Sequence, residues 1–304
     1  MVRRSKGTVG VVGLGKMGGA FAKHLLASGW RVLGYDIDAG RKRAAARAGV
    51  EIAPNASTLA NTAPVIVTSL PDPDALAATV AEITREKRPA KTIVETSTFK
   101  IEDKERAEQA LRKAGHVMLD CPISGTGAQA AVKDIVVYAS GDKKAIARLR
   151  PMFAAFSRAA YDVGEFGNGS RMKYIANLLV TIHNVASAEA MVLGIKTGLD
   201  PQVIYELVSA GVGTSGVFEV RGPMMVKGKY DNASMSIKLY QKDISVIADF
   251  AAGLGVPTPL FSASIPVYSK ALAMGFGDLD TASVCAVLEK MAAVKRRKRG
   301  RRKS

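Results

Sequence analysis

The chain has 304 residues, 48% of them hydrophobic, and a formal charge of +16. That length and apolar content suffice for two globular domains with their own cores, and the apolar runs, VGVVGLG and ANLLVTI among them, are too short or too polar to read as membrane spans. The charge is a poor pointer to nucleic acid, because eight of the 43 basic residues crowd the last ten positions, KRRKRGRRKS, and the rest of the chain carries +8.

Short β-branched runs alternate with longer helical patterns from the start. TVGVVGLG reads as a buried strand, MGGAFAKHLLASG as an amphipathic helix ending at Gly29, and WRVLGYD as a second strand. APVIVTSL, KTIVETST, HVMLDCPIS and DIVVYASG follow as strands, with helical segments such as DALAATVAEITREK and IEDKERAEQALRKAG between them. Such alternation implies a largely parallel sheet covered by helices on both faces. After AAYDVGEFG the strand signal stops. A long helix pattern without proline runs from Ser170 to about Leu193, and PQVIYELVSAG, IKLYQKDISVIADFAAGLG and FSASIPVYSKALAMG read as further helices.

The expected architecture is therefore a doubly wound α/β domain over residues 1–165 and an all-α domain over 166–294, entered through the long helix. Like charges without apolar neighbours repel one another and cannot pack, so residues 295–304 are expected to form a basic, disordered tail, with at most non-specific contacts to polyanions. The start, MVRRSKG, meets a strand too soon for a signal peptide. Only Cys121 and Cys285 are present, without CxxC or zinc spacing, and His24, His116 and His183 are scattered. A cytoplasmic enzyme with reduced thiols and no metal is expected.

Two patterns carry chemistry. Gly13-Leu14-Gly15-Lys16-Met17-Gly18 follows a strand and opens a helix. Gly13 permits the tight turn, Gly15 lets a pyrophosphate approach the backbone, and Gly18 lets the helix pack on the sheet, which is the Rossmann-type dinucleotide turn. Asp36, about twenty residues on at the end of the second strand, is placed to accept from adenosine ribose hydroxyls and to repel a 2′-phosphate, favouring NAD over NADP. Arg41, Lys42 and Arg43 could reach such a phosphate, so NADP stays open. The second pattern is Gly169-x-x-x-Lys173-x-x-x-Asn177. Four residues turn a helix almost full circle, drifting by only ~40°, so an amine and an amide share one face behind a glycine.

With these blocks in view, the chain resembles the β-hydroxyacid dehydrogenase family, which includes 3-hydroxyisobutyrate dehydrogenase and tartronate semialdehyde reductase. VGLGKMGGAFAKHLL, DCPISGTGAQA, GNGSRMKYIAN and KLYQKDISVIAD carry the resemblance in the family's order and spacing. It implies that Lys173 is the catalytic acid/base, with Asn177 orienting the reacting oxygen. Ser124, Gly125 and Thr126 match the loop that holds a substrate carboxylate. Leu70 and Pro71 match a loop beside the cofactor, Thr98 a threonine near the nicotinamide ribose, and Lys242 a lysine that closes over cofactor and substrate, with Asp243 fixing local geometry. A homodimer or homotetramer is implied as well. The implied reaction is hydride transfer between a nicotinamide and a small 3-hydroxy acid or its semialdehyde, with Lys173 moving the proton.

Cys121 stands where many relatives have alanine, and Thr126-Gly127 replaces a glycine pair, so substrate identity does not transfer: 3-hydroxyisobutyrate, glycerate, tartronate semialdehyde and threonate all fit. An imine reductase uses a similar plan but typically lacks the lysine. A non-enzymatic scaffold whose basic tail meets nucleic acid would also lack it. Lys173 and the polar SGTG loop favour the hydroxy-acid reading.

Overall fold

The computed structural model describes residues 5–294 and Arg296, and the chain divides into two compact units between Tyr174 and Ile175. The first unit contains β1 (Thr8–Val12), α1 (Lys16–Ala27), β2 (Arg31–Tyr35), α2 (Ala39–Arg47), β3 (Glu51–Ile52), α3 (Ala56–Thr62), β4 (Val65–Thr68), α4 (Pro73–Thr84), β5 (Thr92–Glu95), α5 (Ile101–Lys113), β6 (Val117–Asp120), β7 (Ile123–Ser124), α6 (Gly127–Ala131), β8 (Val136–Ala139), α7 (Lys143–Phe156), β9 (Ala159–Asp162) and the opening turns of α8 (Asn168–Lys196).

Six strands pair in parallel in the order β3-β2-β1-β4-β5-β6. Their side chains alternate between two buried faces, as a sheet covered on both sides requires. Val9, Val11, Val67, Val94 and Leu119 pack with Phe21 and Leu25 of α1 and Phe153 and Phe156 of α7. Val12, Ile66, Ile93 and Met118 pack with Leu59 of α3, Leu76 and Ile83 of α4 and Leu111 of α5. The doubly wound expectation therefore holds.

Two details differ from the sequence pattern. Two-residue β3 is too short to show a periodicity. HVMLDCPIS is not one strand but two: β6 completes the parallel sheet, and β7 opens a second, three-stranded sheet with β8 and β9. Cys121 N–H still donates to Glu95 O at 2.8 Å, but Pro122 has no N–H to continue that ladder. DIVVYASG, as β8, also belongs to this second sheet, antiparallel to β7 and parallel to β9.

The second unit holds the rest of α8, then α9 (Pro201–Ser209), α10 (Gly216–Lys227), α11 (Ile237–Gly253), α12 (Pro259–Ala273), a 3-10 turn (Thr281–Ser283) and α13 (Val284–Met291). α10, which contains Pro223, and α13 carried no clear sequence signal. By length and composition α8 is apolar enough to cross a membrane, which its fragments did not suggest when read separately. Its polar groups are nonetheless bonded as in a packed core helix. Asn184 Nδ2 donates to Tyr268 Oη and Thr281 O, both at 2.9 Å, and the Thr181 and Tyr240 hydroxyls lie 2.9 Å apart.

The basic tail lies outside the described residues except at Arg296, which was expected to be solvated and is instead docked. Its guanidinium donates to Glu289 Oε1 and Val226 O, each at 2.8 Å, and to Met225 O at 2.5 Å. Those carbonyls lie in the last turn of α10, where the i+4 amide donors run out and Met225 O has besides only the capping Gly228 N–H, at 3.3 Å.

The division between units falls nine residues later than the expected 165/166 boundary because the first turns of α8 are fastened to the sheet. Ser170 N–H and Oγ–H donate to the two Asp120 carboxylate oxygens at 2.7 and 2.9 Å, Gly169 N–H donates to Ser140 Oγ at 3.0 Å, and Tyr174 Oη–H donates to Phe99 O. Only glycine allows this approach. A Cβ at 169 would lie 2.5 Å from Tyr138 O and 2.6 Å from Asp120 O. Gly169→Ala should therefore destabilise the first unit by about 1–3 kcal/mol, measured by urea unfolding; wild-type stability would show that α8 has room to move.

Candidate functional site

In an open parallel sheet, ligands bind beyond the carboxyl ends of the strands where the strand order reverses. Here that point lies between β1 and β4. The turn after β1 is held from both sides: Gly13 N–H donates to Tyr35 O at 2.8 Å, and Ser69 N–H, after β4, donates to Val12 O at 2.9 Å. Gly13 has φ +88°, and a Cβ there would lie 2.1 Å from Ser69 O; at Gly18 it would lie 1.9 Å from Gly13 O. Gly15 differs. Its added Cβ would meet only Arg41 Nη1, at 3.9 Å, and no side chain caps α1. An approachable backbone at a helix start, with its positive dipole end, suits a diphosphate. The turn therefore fits the dinucleotide for which its glycines are spaced.

Asp36 sits at the expected strand end but is only 4% exposed. Oδ2 accepts from Leu14 N–H at 2.7 Å and Oδ1 from Asp38 N–H at 2.8 Å, while Arg41 Nη1 is 3.6 Å from Oδ2. The carboxylate thus braces the turn, with second lone pairs left for a ligand.

The loops after β4 and β7 adjoin this turn, at Ser69 and Gly127, and the loop after β5 is tied to the first of them. Leu70 N–H donates to Ser97 Oγ at 2.9 Å, which ties the Leu70-Pro71 loop to the segment bearing Thr98. Thr126 caps α6 through a capping box: its N–H donates to Gln129 Oε1 at 2.9 Å, and Gln129 N–H donates back to Thr126 Oγ1 at 3.4 Å. The box engages Thr126 in shaping the loop, a role the sequence reading missed although T-x-x-Q is its signature. Gly125, at φ +133°, packs under Ile135. α6 adjoins α1, for Gly127 lies against Lys16, and the His24 imidazole bonds Ala130 O at 2.9 Å.

Lys173 is 9% exposed and Asn177 6%, one turn apart on α8. Within the second unit Asn177 Nδ2 donates to Asp243 Oδ2 at 2.9 Å, and Lys242 Nζ donates to Asp243 Oδ1 at 2.7 Å. Asp243 thereby fixes which way the Asn177 amide points.

Behind these loops lies a group the sequence reading did not single out. Lys104, Glu95 and Asp120 are each 0% exposed, and Lys104 Nζ lies 2.7 Å from Glu95 Oε2, 2.8 Å from Asp120 Oδ1 and 2.6 Å from Ser97 O. Burial alone would lower the Lys104 pKa; the Asp120 and Glu95 carboxylates outweigh it and raise it, so the amine stays charged. A signal existed, since Lys104 falls in the buried stripe Ile101, Lys104, Ala107, Leu111 of α5. Cys121 is fully buried beside this cluster, and burial, with Asp120 nearby, pushes its thiol well above the ordinary range. It packs as a small apolar group rather than serving as a nucleophile.

Comparison with known proteins agrees with this architecture. Residues 8–164 match the family model described as the NAD-binding domain of 6-phosphogluconate dehydrogenase, and residues 167–288 match the one described as NAD-binding of NADP-dependent 3-hydroxyisobutyrate dehydrogenase. An L-threonate dehydrogenase of Pectobacterium atrosepticum is 31% identical over 94% of this chain and 96% of its own length. A crystal structure of 3-hydroxyisobutyrate dehydrogenase from Salmonella typhimurium superposes with a TM-score of 0.84 at 29% identity, covering 92% of this chain and 99% of that one. The Mycobacterium tuberculosis 3-hydroxyisobutyrate dehydrogenase, solved with L-serine, gives a TM-score of 0.83 at 26% identity, covering 92% and 98%. Fold and site thus define an oxidoreductase that uses a nicotinamide dinucleotide. The chain belongs to the β-hydroxyacid dehydrogenase family.

Proposed function

We propose that this protein transfers a hydride between NAD and a small 3-hydroxy carboxylic acid or its semialdehyde, with Lys173 as general acid/base. The observation that carries the reading is the pair Lys173 and Asn177, a buried amine and a buried amide one turn apart on α8. When bound, the nicotinamide supplies or accepts the hydride. The Ser124 hydroxyl and Gly125 N–H receive the substrate carboxylate, and Thr126 keeps their loop in shape. Lys173 Nζ accepts the hydroxyl proton in oxidation and returns it to the developing alkoxide in reduction. Asn177, with one amide hydrogen committed to Asp243, has Oδ1 and its second N–H to orient the reacting oxygen. Lys242 adds positive charge for the cofactor or the carboxylate. The buried, unpaired thiols suit a reducing compartment such as the cytoplasm.

The relatives named above make L-threonate and 3-hydroxyisobutyrate the first substrates to test, alongside glycerate and other small 3-hydroxy acids, by NADH absorbance. Lys173→Ala should lower kcat by about 10²–10⁴-fold while leaving NADH affinity, measured by fluorescence titration, nearly unchanged. Retention of most of the turnover would remove Lys173 from the mechanism.

For the cofactor, the Asp36 carboxylate supports a preference for NAD, because it disfavours a 2′-phosphate beside it. Asp36→Asn keeps the size of the side chain, removes its charge and gives up one of its two backbone bonds, a loss that NAD and NADP share and that the ratio of the two therefore cancels. The ratio of kcat/KM for NADP to that for NAD should rise about tenfold or more, the size of a lost charge interaction of ~1.4 kcal/mol, and an unchanged ratio would contradict the assignment.

A homodimer or homotetramer is supported by the apolar residues Ile175, Leu179 and Leu193, which α8 leaves exposed within the second unit. Light scattering coupled to gel filtration should give a multiple of 32.1 kDa; a monomer across the concentration range would refute it.

A further inference from the structure

The buried cluster of Lys104, Glu95 and Asp120 satisfies more than its own charges. Glu95 Oε1 accepts from Ser97 N–H at 2.8 Å, and Lys104 donates to Ser97 O at 2.6 Å, so the cluster grips both ends of the residue next to Thr98. Ser97 Oγ in turn accepts from Leu70 N–H at 2.9 Å. On its other side Lys104 holds Asp120, whose carboxylate receives the N–H and the hydroxyl of Ser170, one turn before Lys173. One ammonium therefore joins the loop segments at Leu70 and Ser97 to the start of the helix that carries the proposed acid/base.

We propose that Lys104 is a positioning residue. Through Ser97 and Asp120 it sets the separation between the cofactor-side loops and Lys173, so that the acceptor of the hydride and the acceptor of the proton are in register. The reactive role of Lys173 rests on the function proposed above, whereas the mechanical coupling does not. Two carboxylates facing one ammonium leave a net charge of −1, and Lys104 is fully enclosed. Such a group is a costly way to gain stability alone, because desolvating it consumes most of the Coulomb gain. Its geometric product is a rigid bracket of directional bonds, each within 2.9 Å, that joins Leu70, Glu95 to Ser97, Lys104, Asp120 and Ser170.

The charge-balanced double variant Lys104→Met with Glu95→Gln keeps Asp120 ionised against Ser170 and leaves an amide oxygen for Ser97 N–H, but removes the ammonium that joins Ser97 O to Asp120. Hydrogen exchange read by mass spectrometry should show faster exchange at residues 96–99 and 169–174 together, with α1 and β1 unchanged. With the substrate found above, kcat should fall about 10- to 100-fold, as expected for a misplacement of about 1 Å, while the NADH dissociation constant stays within a few-fold. A primary isotope effect from deuterated substrate should increase as hydride transfer becomes limiting. Ser170→Ala, which removes one hydroxyl and no charge, is the second variant: faster exchange at 169–174 and a smaller loss in kcat are expected. If the double variant does not fold, this variant decides the matter. Wild-type exchange at 169–174 in the variants, or wild-type kcat with altered exchange, overturns the proposal. If the wild-type chain turns over no hydroxy acid, the functional reading fails and the exchange pattern still judges the coupling.

Discussion

The position of Lys173 depends on how α8 leaves the sheet. Its first turn presses against the end of β6, where Asp120 O and Tyr138 O leave no space for a Cβ at residue 169, and the Asp120 carboxylate takes the Ser170 N–H that the helix start leaves without an intrahelical partner. A negative charge at a helix N-terminus is favourable in its own right. Here it also fixes the rotation of the helix, because the backbone N–H and the side-chain hydroxyl of one residue bind the two oxygens of one carboxylate. Once that rotation is set, 3.6-residue periodicity dictates where Lys173 projects.

The same economy appears in the cofactor turn. Asp36 was expected to accept from the ribose hydroxyls, and its oxygens also hold the backbone at Leu14 and Asp38. A carboxylate that braces the glycine turn also brings negative charge to the strand end, so the group that shapes the turn is the one to which the proposed cofactor preference is assigned. The Thr126 capping box acts comparably in the loop after β7, fixing the N-terminus of α6 and leaving Ser124 and Gly125 at the loop's start. In the second unit Asp243 orients an amide in the same way. In each case a side chain beside the proposed chemistry acts on the backbone or on another side chain, which is how a site gains precision from rigid elements.

Burying Lys104 between two carboxylates carries a desolvation cost that a hydrophobic replacement would avoid. The stripe Ile101, Lys104, Ala107 and Leu111 places the lysine where an apolar residue would ordinarily pack. What the charge adds, and a methyl group could not, is a set of directed bonds to Ser97 O, Glu95 and Asp120.

The glycine spacing at residues 13–18, the β-branched alternation of the strands and the uninterrupted pattern from Ser170 onward were enough to define a doubly wound domain, a helical domain and the catalytic candidate, because they depend on local periodicity and on the steric freedom of glycine. Local pattern could not show that HVMLDCPIS divides between two sheets, since the division follows from the missing N–H of Pro122 and from which strand lies alongside. Nor could it assign Gln129, Asp243 or Lys104 to their partners, or place Arg296 on the last carbonyls of α10. Those pairings join residues from 3 to 71 positions apart. The sequence by itself determined the kinds of element and the candidates for their chemistry; only the tertiary structure decided which polar groups meet, because a hydrogen bond or buried ion pair requires two segments to be brought within about 3 Å of each other.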